Sequence, residues 1–348
     1  MSPKELLKKI VGIPSISKNE DDVSNFICDY LNDNGVSAKV YKKNVYCSVG
    51  KGKPSILLNS HLDTVPVCPG WIDDPFKAVE KNGYIYGLGA NDAKGSLSAM
   101  ITALLELSEI DLDGKVYFGA SVEEETGNKG IKELVHKIPS IDAAIVGEPT
   151  NLNIATAMRG LAILKCKAVG KSAHASRPGE GKNAIYEAAS DILGLKSMSF
   201  GGEHPLLGHP TASVTLIQGG TKNNVIPGEC EFTMDVRSTP GCDNYEMIDI
   251  LSNELKVKAE IVSNRLHPKE TKGEEYIVKA AKKVIPDNRI IGFKGMCDYV
   301  FIDAPGIILG PGTSDQSHAP NEHIQISQVE RASSIYRDIV KEYIGWSG

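Results

Sequence analysis

No stretch of this 348-residue chain approaches the roughly 20 consecutive apolar residues that a membrane-crossing helix needs. The opening residues, Met1-Ser2-Pro3-Lys4-Glu5, lack the apolar core of a secretory signal. Both absences lead to the expectation of a cytoplasmic protein with no membrane partner. Clustered lysine and arginine are missing too, and the net charge is −6, which argues against a nucleic-acid partner. There is no Cys-x-x-Cys pair. The seven cysteines (Cys28, Cys47, Cys68, Cys166, Cys230, Cys242 and Cys297) are scattered, so thiolate zinc is not expected and they read as reduced packing residues. Any metal must therefore be held by histidine and carboxylate. No internal repeat or low-complexity linker divides the chain. What remains is ordinary: 41% hydrophobic and 24% charged residues suit a globular protein of one large or two medium domains.

The stretch Leu57-Leu58-Asn59-Ser60-His61-Leu62-Asp63-Thr64-Val65-Pro66 organises the rest. The apolar run Ile56–Leu58 predicts a buried strand that ends in polar residues, and open α/β sheets place ligands at such carboxyl ends. His61 with Asp63 two residues on could be a metal ligand and its supporting partner, or an ordinary surface pair. The same rhythm recurs. Lys115–Ala120 runs into Glu123-Glu124-Glu125, and Ala143–Val146 runs into Gly147-Glu148-Pro149-Thr150. Gly87–Gly95, centred on Asp92, follows a short strand at 84–86 and opens an apolar helix. Repeated strand, polar tip and helix predict an α/β fold. Helices are also expected from Ser2-Pro3, across Asp21–Asn34, around Ile131–His136, over Glu275–Val284 and from about Gln328 to Tyr343. The middle differs. Strands at 162–169, 212–218, 230–236 and 258–262, with helices at 183–195 and 245–255, suggest an inserted α+β module.

Divalent ions of hard or borderline character take imidazole nitrogen and carboxylate oxygen from several elements at once. The strand ends offer His61, Asp92, Glu124, Glu125 and Glu148, and the late loop Gly310–His318 offers His318. Two histidines and three carboxylates suffice for two metals bridged by one carboxylate. One further acid must stay free to take a proton from water, and the adjacent Glu124 and Glu125 allow that division. Two competing motifs fail. Gly87-Leu88-Gly89 starts a dinucleotide fingerprint, but Asp92 stands at the third glycine. Gly170-Lys171-Ser172 resembles the end of a P-loop, but Lys165 stands where its first glycine belongs.

Taken together, His61-Leu62-Asp63-Thr64-Val65-Pro66, the Asp92 segment, Glu124-Glu125, Gly147-Glu148-Pro149-Thr150 and His318 resemble the dinuclear zinc peptidase and deacylase family. That family includes acetylornithine deacetylase, succinyl-diaminopimelate desuccinylase, aminoacylase and carboxypeptidase G. The resemblance covers nearly the whole chain in the right order. It implies a catalytic domain, residues 1–160 and 268–348, with a central mostly parallel sheet flanked by helices, and an inserted α+β (ferredoxin-like) dimerisation domain, residues 161–267. It further implies one ion on His61, Asp92 and Glu148 and another on Asp92, Glu125 and His318. The ions would be Zn2+, with cobalt or manganese also suited to these ligands. Glu124 would be the general base and Asp63 would orient His61. His174, in Gly170–Ser176, matches a histidine that reaches the partner subunit's site in a homodimer, and Asn224 and Arg237 match substrate-facing positions. Plain alternatives stand beside three of these: a turn cap for Asp63, an exposed loop residue for His174 and a structural ion pair for Arg237. His136, His204, His209, His267 and His323 carry no motif and are expected at the surface.

The substrate expected is a small N-acyl amino acid. Desuccinylase relatives carry Ser-Asp-x-Arg-Phe, whose arginine grips a carboxylate, and the matching stretch Cys297-Asp298-Tyr299-Val300-Phe301 has Val300 in its place. Leu58–His61, Gly147–Thr150 and Gly181–Tyr186 look closest to acetylornithine or acetyl-lysine deacetylases of arginine and lysine biosynthesis. A succinyl-diaminopimelate desuccinylase, a di- or tripeptidase of the same family and a catalytically silent metal-binding homologue are the alternatives.

Overall fold

The computed structural model describes residues 1–345, which divide into two compact units. The first comprises Met1–Thr156, Thr271–Ile291 and the chain from Cys297 onward; the second comprises Ala157–Glu270 and Gly292–Met296.

The first unit is built on a mixed sheet with parallel strands at its centre. Asn44–His61 folds around a neighbour rather than running straight. Its first arm descends against Asp113–Ser121, Val45 opposite Ala120 and Val49 opposite Val116. Its second arm ascends along the other side, Ser55 opposite Lys115 and His61 opposite Ser121. The register shows why both arms carry apolar residues: each flanks the same buried strand. Ile56–Asn59 then pairs parallel with Ala143–Val146, which pairs parallel with Gly306–Ile308. Antiparallel pairs flank this centre, with Lys39–Tyr41 on one side and Ile154–Met158 on the other.

Parallel pairing has one functional consequence: it brings the carboxyl ends of four chain segments to the same edge. His61 ends one segment, and Glu124 follows Ser121 by a short turn. Glu148 follows Val146, and the loop to His318 follows Ile308. Helix Gly95–Ser108 packs against helix Ile326–Ile344 and is buried along ten of its residues. That accounts for its nearly unbroken apolar sequence, since a helix apolar on all faces belongs inside. Helix Pro3–Val11 is fixed by the expected capping box: Ser2 Oγ accepts from Glu5 N at 3.3 Å, and Glu5 Oε2 accepts from Ser2 N at 2.8 Å.

The second unit has a four-stranded antiparallel sheet in the order Thr211–Gly219, Glu229–Arg237, Leu161–Val169, Lys258–Leu266. With helices Ala184–Leu195 and Asn244–Glu254 the chain order is β-α-β-β-α-β. Period-2 alternation decides its core. Ala162, Leu164, Cys166 and Ala168 point inward beside Cys230, Phe232, Met234 and Val236, and helix residues Ala184, Ala188, Met247 and Leu251 cover them. One expectation fails here. His204 is not a surface residue: it is buried, with Nε2 3.2 Å from Glu270 Oε1 and Nδ1 accepting from Leu206 N. Satisfied on both nitrogens, the ring can be buried at little cost.

Candidate metal centre

Five side chains expected to hold metal converge at the carboxyl edge of the first unit's sheet. His61, Asp92 and Glu148 place one ligand atom each within 4.8 Å of one another, and so do Asp92, Glu125 and His318. Asp92 is common to both sets. Its Oδ1 lies 3.2 Å from His61 Nε2, and its Oδ2 lies 3.9 Å from His318 Nε2. Glu125 Oε1 is 3.0 Å from the same His318 nitrogen. Glu124 belongs to neither set, although it groups with His61 and Glu125. Its Oε1 accepts from Asn128 Nδ2 at 3.1 Å.

Asp63 supports the site in a way the sequence describes only in part. Its backbone carbonyl, 2.9 Å from His61 Nδ1, is the nearer partner of the ring, while its carboxylate oxygen is 3.6 Å away. The carboxylate itself accepts from Glu124 N at 3.0 Å, Glu125 N at 3.2 Å and Ser17 Oγ at 2.6 Å. It therefore caps the turn Glu124–Gly127 and fixes where the two glutamates start, while the main chain orients His61. The contact to His61 and the cap of the following turn thus meet in one residue.

The electrostatics suit cations. Asp63, Asp92, Glu124, Glu125, Glu148 and Asp298 crowd one largely buried region that His61 and His318 alone cannot neutralise. Burial pushes Glu124 and Glu148 well above the usual carboxyl range. Burial is the largest single influence on Asp92 and raises it, but the hydrogen bond and charge of His61, with Ser317 and His318, together outweigh it and hold the carboxyl below its usual value. Burial opposes charge on His61 as well, yet its bonds to Asp63 and Asp92 raise the ring well above an ordinary histidine. Protons held this way in the metal-free chain are what divalent ions displace. Two imidazoles with oxygen donors, and a carboxylate facing both histidines, fit two such ions.

Three site residues escape sequence reasoning. Glu322 is 1% exposed and accepts the N–H groups of Gly89, Asn91 and Asp92. Asn91 is fully buried and pairs with Thr313. Asp298 is 1% exposed, accepts from Ser121 Oγ and from Asn128 Nδ2, and is pushed by burial to about 6. Asn91 lies within the Gly87–Gly95 motif, Asp298 within the stretch Cys297–Phe301 and Glu322 four residues past His318, and that proximity is the signal that could have found them. Val300, half-buried, sits in the short turn Asp298–Phe301.

The remaining expected residues belong to the second unit. His174 is exposed on the two-residue strand Ala173–His174, opposite Val225. Its Nδ1 accepts from Ser176 N at 3.2 Å, which leaves the proton of the neutral ring on Nε2. Asn224 lies next to it in space, its carbonyl accepting from Ala175 N at 2.9 Å. Arg237 ends its strand in a two-point ion pair with Asp235, at 2.7 and 2.9 Å.

Comparison with known proteins gives the chain's relatives. The family model for peptidase family M20/M25/M40 matches residues 57–342. An acetylornithine deacetylase of Pectobacterium carotovorum subsp. carotovorum (strain PC1) is 29% identical over 373 aligned residues, 97% of each chain. Among solved structures, the M20 family metallo-carboxypeptidase Sso-CP2 from Sulfolobus solfataricus superposes with a TM-score of 0.82 at 21% identity, over 99% of each chain. A tripeptidase from Staphylococcus aureus subsp. aureus Mu50 gives a TM-score of 0.80 at 25% identity, covering 99% of this chain and 98% of that one.

Replacing Asp63 by Asn sets an amide against the N–H donors of Glu124 and Glu125. Stability should fall by about 1–3 kcal/mol in denaturant unfolding, and affinity for divalent ions by about 10–100-fold in metal titration. Unchanged metal affinity would remove Asp63 from the support of the centre.

Proposed function

Because the chain belongs to peptidase family M20/M25/M40 and is thus a metallohydrolase of linear amides, the substrate is what remains open, and we propose an N-acyl amino acid, N-acetylornithine or N-acetyl-lysine first. The observation that carries the dinuclear part of this reading is Asp92, with one oxygen towards each histidine. His61, Asp92 and Glu148 would hold one ion, and Asp92, Glu125 and His318 the other, Zn2+ before Co2+. When bound, such ions supply Lewis acidity that polarises the amide carbonyl and makes hydroxide available near neutral pH.

The chain's own residues supply the proton traffic. Glu124 is half-buried and its carboxyl is raised well above the usual range, so it can take a proton from the attacking water and return it to the leaving amine. Asn128 anchors one of its oxygens and leaves the other for that exchange. His174 presents Nε2–H as a donor to the oxyanion that forms at the carbonyl carbon. In a homodimer that donor would come from the second copy. Asn224 and Arg237 would meet the rest of the substrate.

Two observations support the acyl amino acid. The Pectobacterium relative is an acetylornithine deacetylase, and Val300 cannot form the two-point carboxylate clamp of an arginine. The likeness to the Staphylococcus tripeptidase favours peptide hydrolysis as the second reading. Assaying acetylornithine, acetyl-lysine, succinyl-diaminopimelate and a dipeptide and tripeptide panel side by side separates them. The acetylated diamino acids should show the highest kcat/KM, and a peptide preference overturns the assignment.

Glu124→Ala should lower turnover by at least about 10²-fold while two ions per chain remain bound, checked by elemental analysis beside the assay. Normal turnover in that variant would end its role as base. For His174→Ala a loss of about 10²-fold or more is expected, again with both ions retained. Mixing the Glu124→Ala and His174→Ala chains should restore activity if the histidine acts across a dimer, and no restoration places it in its own chain's site.

A further inference from the structure

The two halves of the metal centre are held by different means. His61 and Glu148 are fixed by the sheet: His61 closes a strand opposite Ser121, and Glu148 follows Gly147, whose N–H donates to Asn59 O at 2.7 Å. Both side chains are buried. His318 has no such ladder. It sits in the loop that follows Ile308, its side chain 53% exposed and its backbone in the left-handed region at φ 61°. For it to meet Asp92 and Glu125, that loop must be tied to the turn carrying Asp92.

Two side chains make that tie. Asn91, next to Asp92, donates from Nδ2 to Thr313 O at 3.0 Å and accepts at Oδ1 from Thr313 N at 2.9 Å, a reciprocal pair that satisfies one residue of the His318 loop completely. A Cβ at the neighbouring Gly312, φ 84°, would run into Asn91 Oδ1, so the close approach itself needs glycine. Glu322, four residues beyond His318, grips the turn from the other side. Its Oε1 accepts from Asn91 N at 2.7 Å and Asp92 N at 2.9 Å, and its Oε2 from Gly89 N at 2.9 Å. Its own carbonyl accepts from Gly87 N at 3.0 Å. His318 therefore lies between two points, Thr313 and Glu322, that are both fastened to the Gly87–Asp92 turn.

We infer that Asn91 and Glu322 form a clamp of positioning residues that sets the affinity of the second metal position, Asp92–Glu125–His318, more than that of the first, which shares only Asp92 with it. The inference rests on the two-ion reading above. Neither residue is a ligand: Asn91 spends its amide on Thr313 and Glu322 spends both oxygens on backbone N–H groups. Loosening the clamp leaves the ladder-held His61 and Glu148 in place but lets His318 drift from Asp92. Supporting partners of this kind typically change metal affinity by about 10–100-fold.

The test is titration of metal-free full-length protein with Zn2+, followed by calorimetry and elemental analysis, for wild type, Asn91→Ala and Glu322→Gln. The glutamine is nearly isosteric and turns one acceptor into a donor facing the Gly89 or Asn91 N–H, so it perturbs the clamp with little change of volume. Circular dichroism and thermal melting of the metal-free forms show that each variant is folded, and the folded ones are compared. Wild type should take two ions. The variants should bind the second about 10-fold more weakly or worse and lose clearly less at the first, whose His61 and Glu148 the sheet still holds, and with Co2+ at one ion per chain their spectra should match that of His318→Ala. Equal weakening of both ions, or no change in either, overturns the clamp while leaving two ions in wild type intact. Fewer than two ions in wild type overturns the two-ion reading, and the clamp falls with it.

Discussion

One carboxylate facing two histidines is the constraint on which the site depends. His61 and His318 are remote in sequence, and Asp92 meets both only if a strand end and a loop are held in a common frame. Parallel pairing provides half of that frame. With Ser55–His61, Lys115–Ser121, Ala143–Val146 and Gly306–Ile308 running the same way, their polar continuations must emerge together. A slip of one residue in any pair would turn His61 or the turn to Glu124 to the wrong face, because side chains alternate along a strand. The apolar runs that bury these strands therefore also place the ligands.

That framework holds together groups that repel one another. Asp92, Glu124, Glu125 and Glu148 would separate in a loose structure, but each is anchored to backbone that cannot move independently. Asp63 pins the turn of Glu124 and Glu125, and Glu322 pins the turn of Asp92. The result is a region whose burial and crowding raise Glu124 and Glu148 well above the usual carboxyl range. Its donors are set by ladder and turn contacts, so the proposed pair of divalent ions would meet them without moving a ladder. The same crowding gives Glu124 the character of a base, so one burial effect serves both binding and proton transfer.

Much of this is legible in the sequence because strand ends announce themselves: an apolar run followed abruptly by His, Asp or Glu. The residues that hold the ligands are less visible. Glu322 acts on a turn some 230 positions earlier, and nothing local to either segment records the pairing. Asn91 and Asp298 are ordinary polar residues until the tertiary fold surrounds them. His204 is misread for the same reason, its burial depending on Glu270 far along the chain. Strand Ile154–Met158 goes unread because Ile-Ala-Thr-Ala-Met shows no alternation and is buried throughout. Mixed pairing at the margins of the sheet is equally silent, since an antiparallel neighbour leaves no mark on a strand buried on both faces.

On the proposed reading, substrate choice rests on side chains other than the metal-holding ones, and two positions, each taken by itself, bear on how a substrate carboxylate would be held. Val300 offers no guanidinium. Arg237 commits Nε and one terminal nitrogen to Asp235, the edge of the fork that a carboxylate grips best. If Arg237 meets substrate as proposed, a carboxylate there would have to displace Asp235 or accept from the remaining edge, and displacement would strand the aspartate beside a second anion. That cost would fall hardest on substrates carrying a second amino-acid head group with its own carboxylate. It would fall least on an acyl amino acid whose single carboxylate can use the free edge. On that reading the ion pair within one strand weighs in the same direction as the valine, from a position whose sequence alone gives no sign of it.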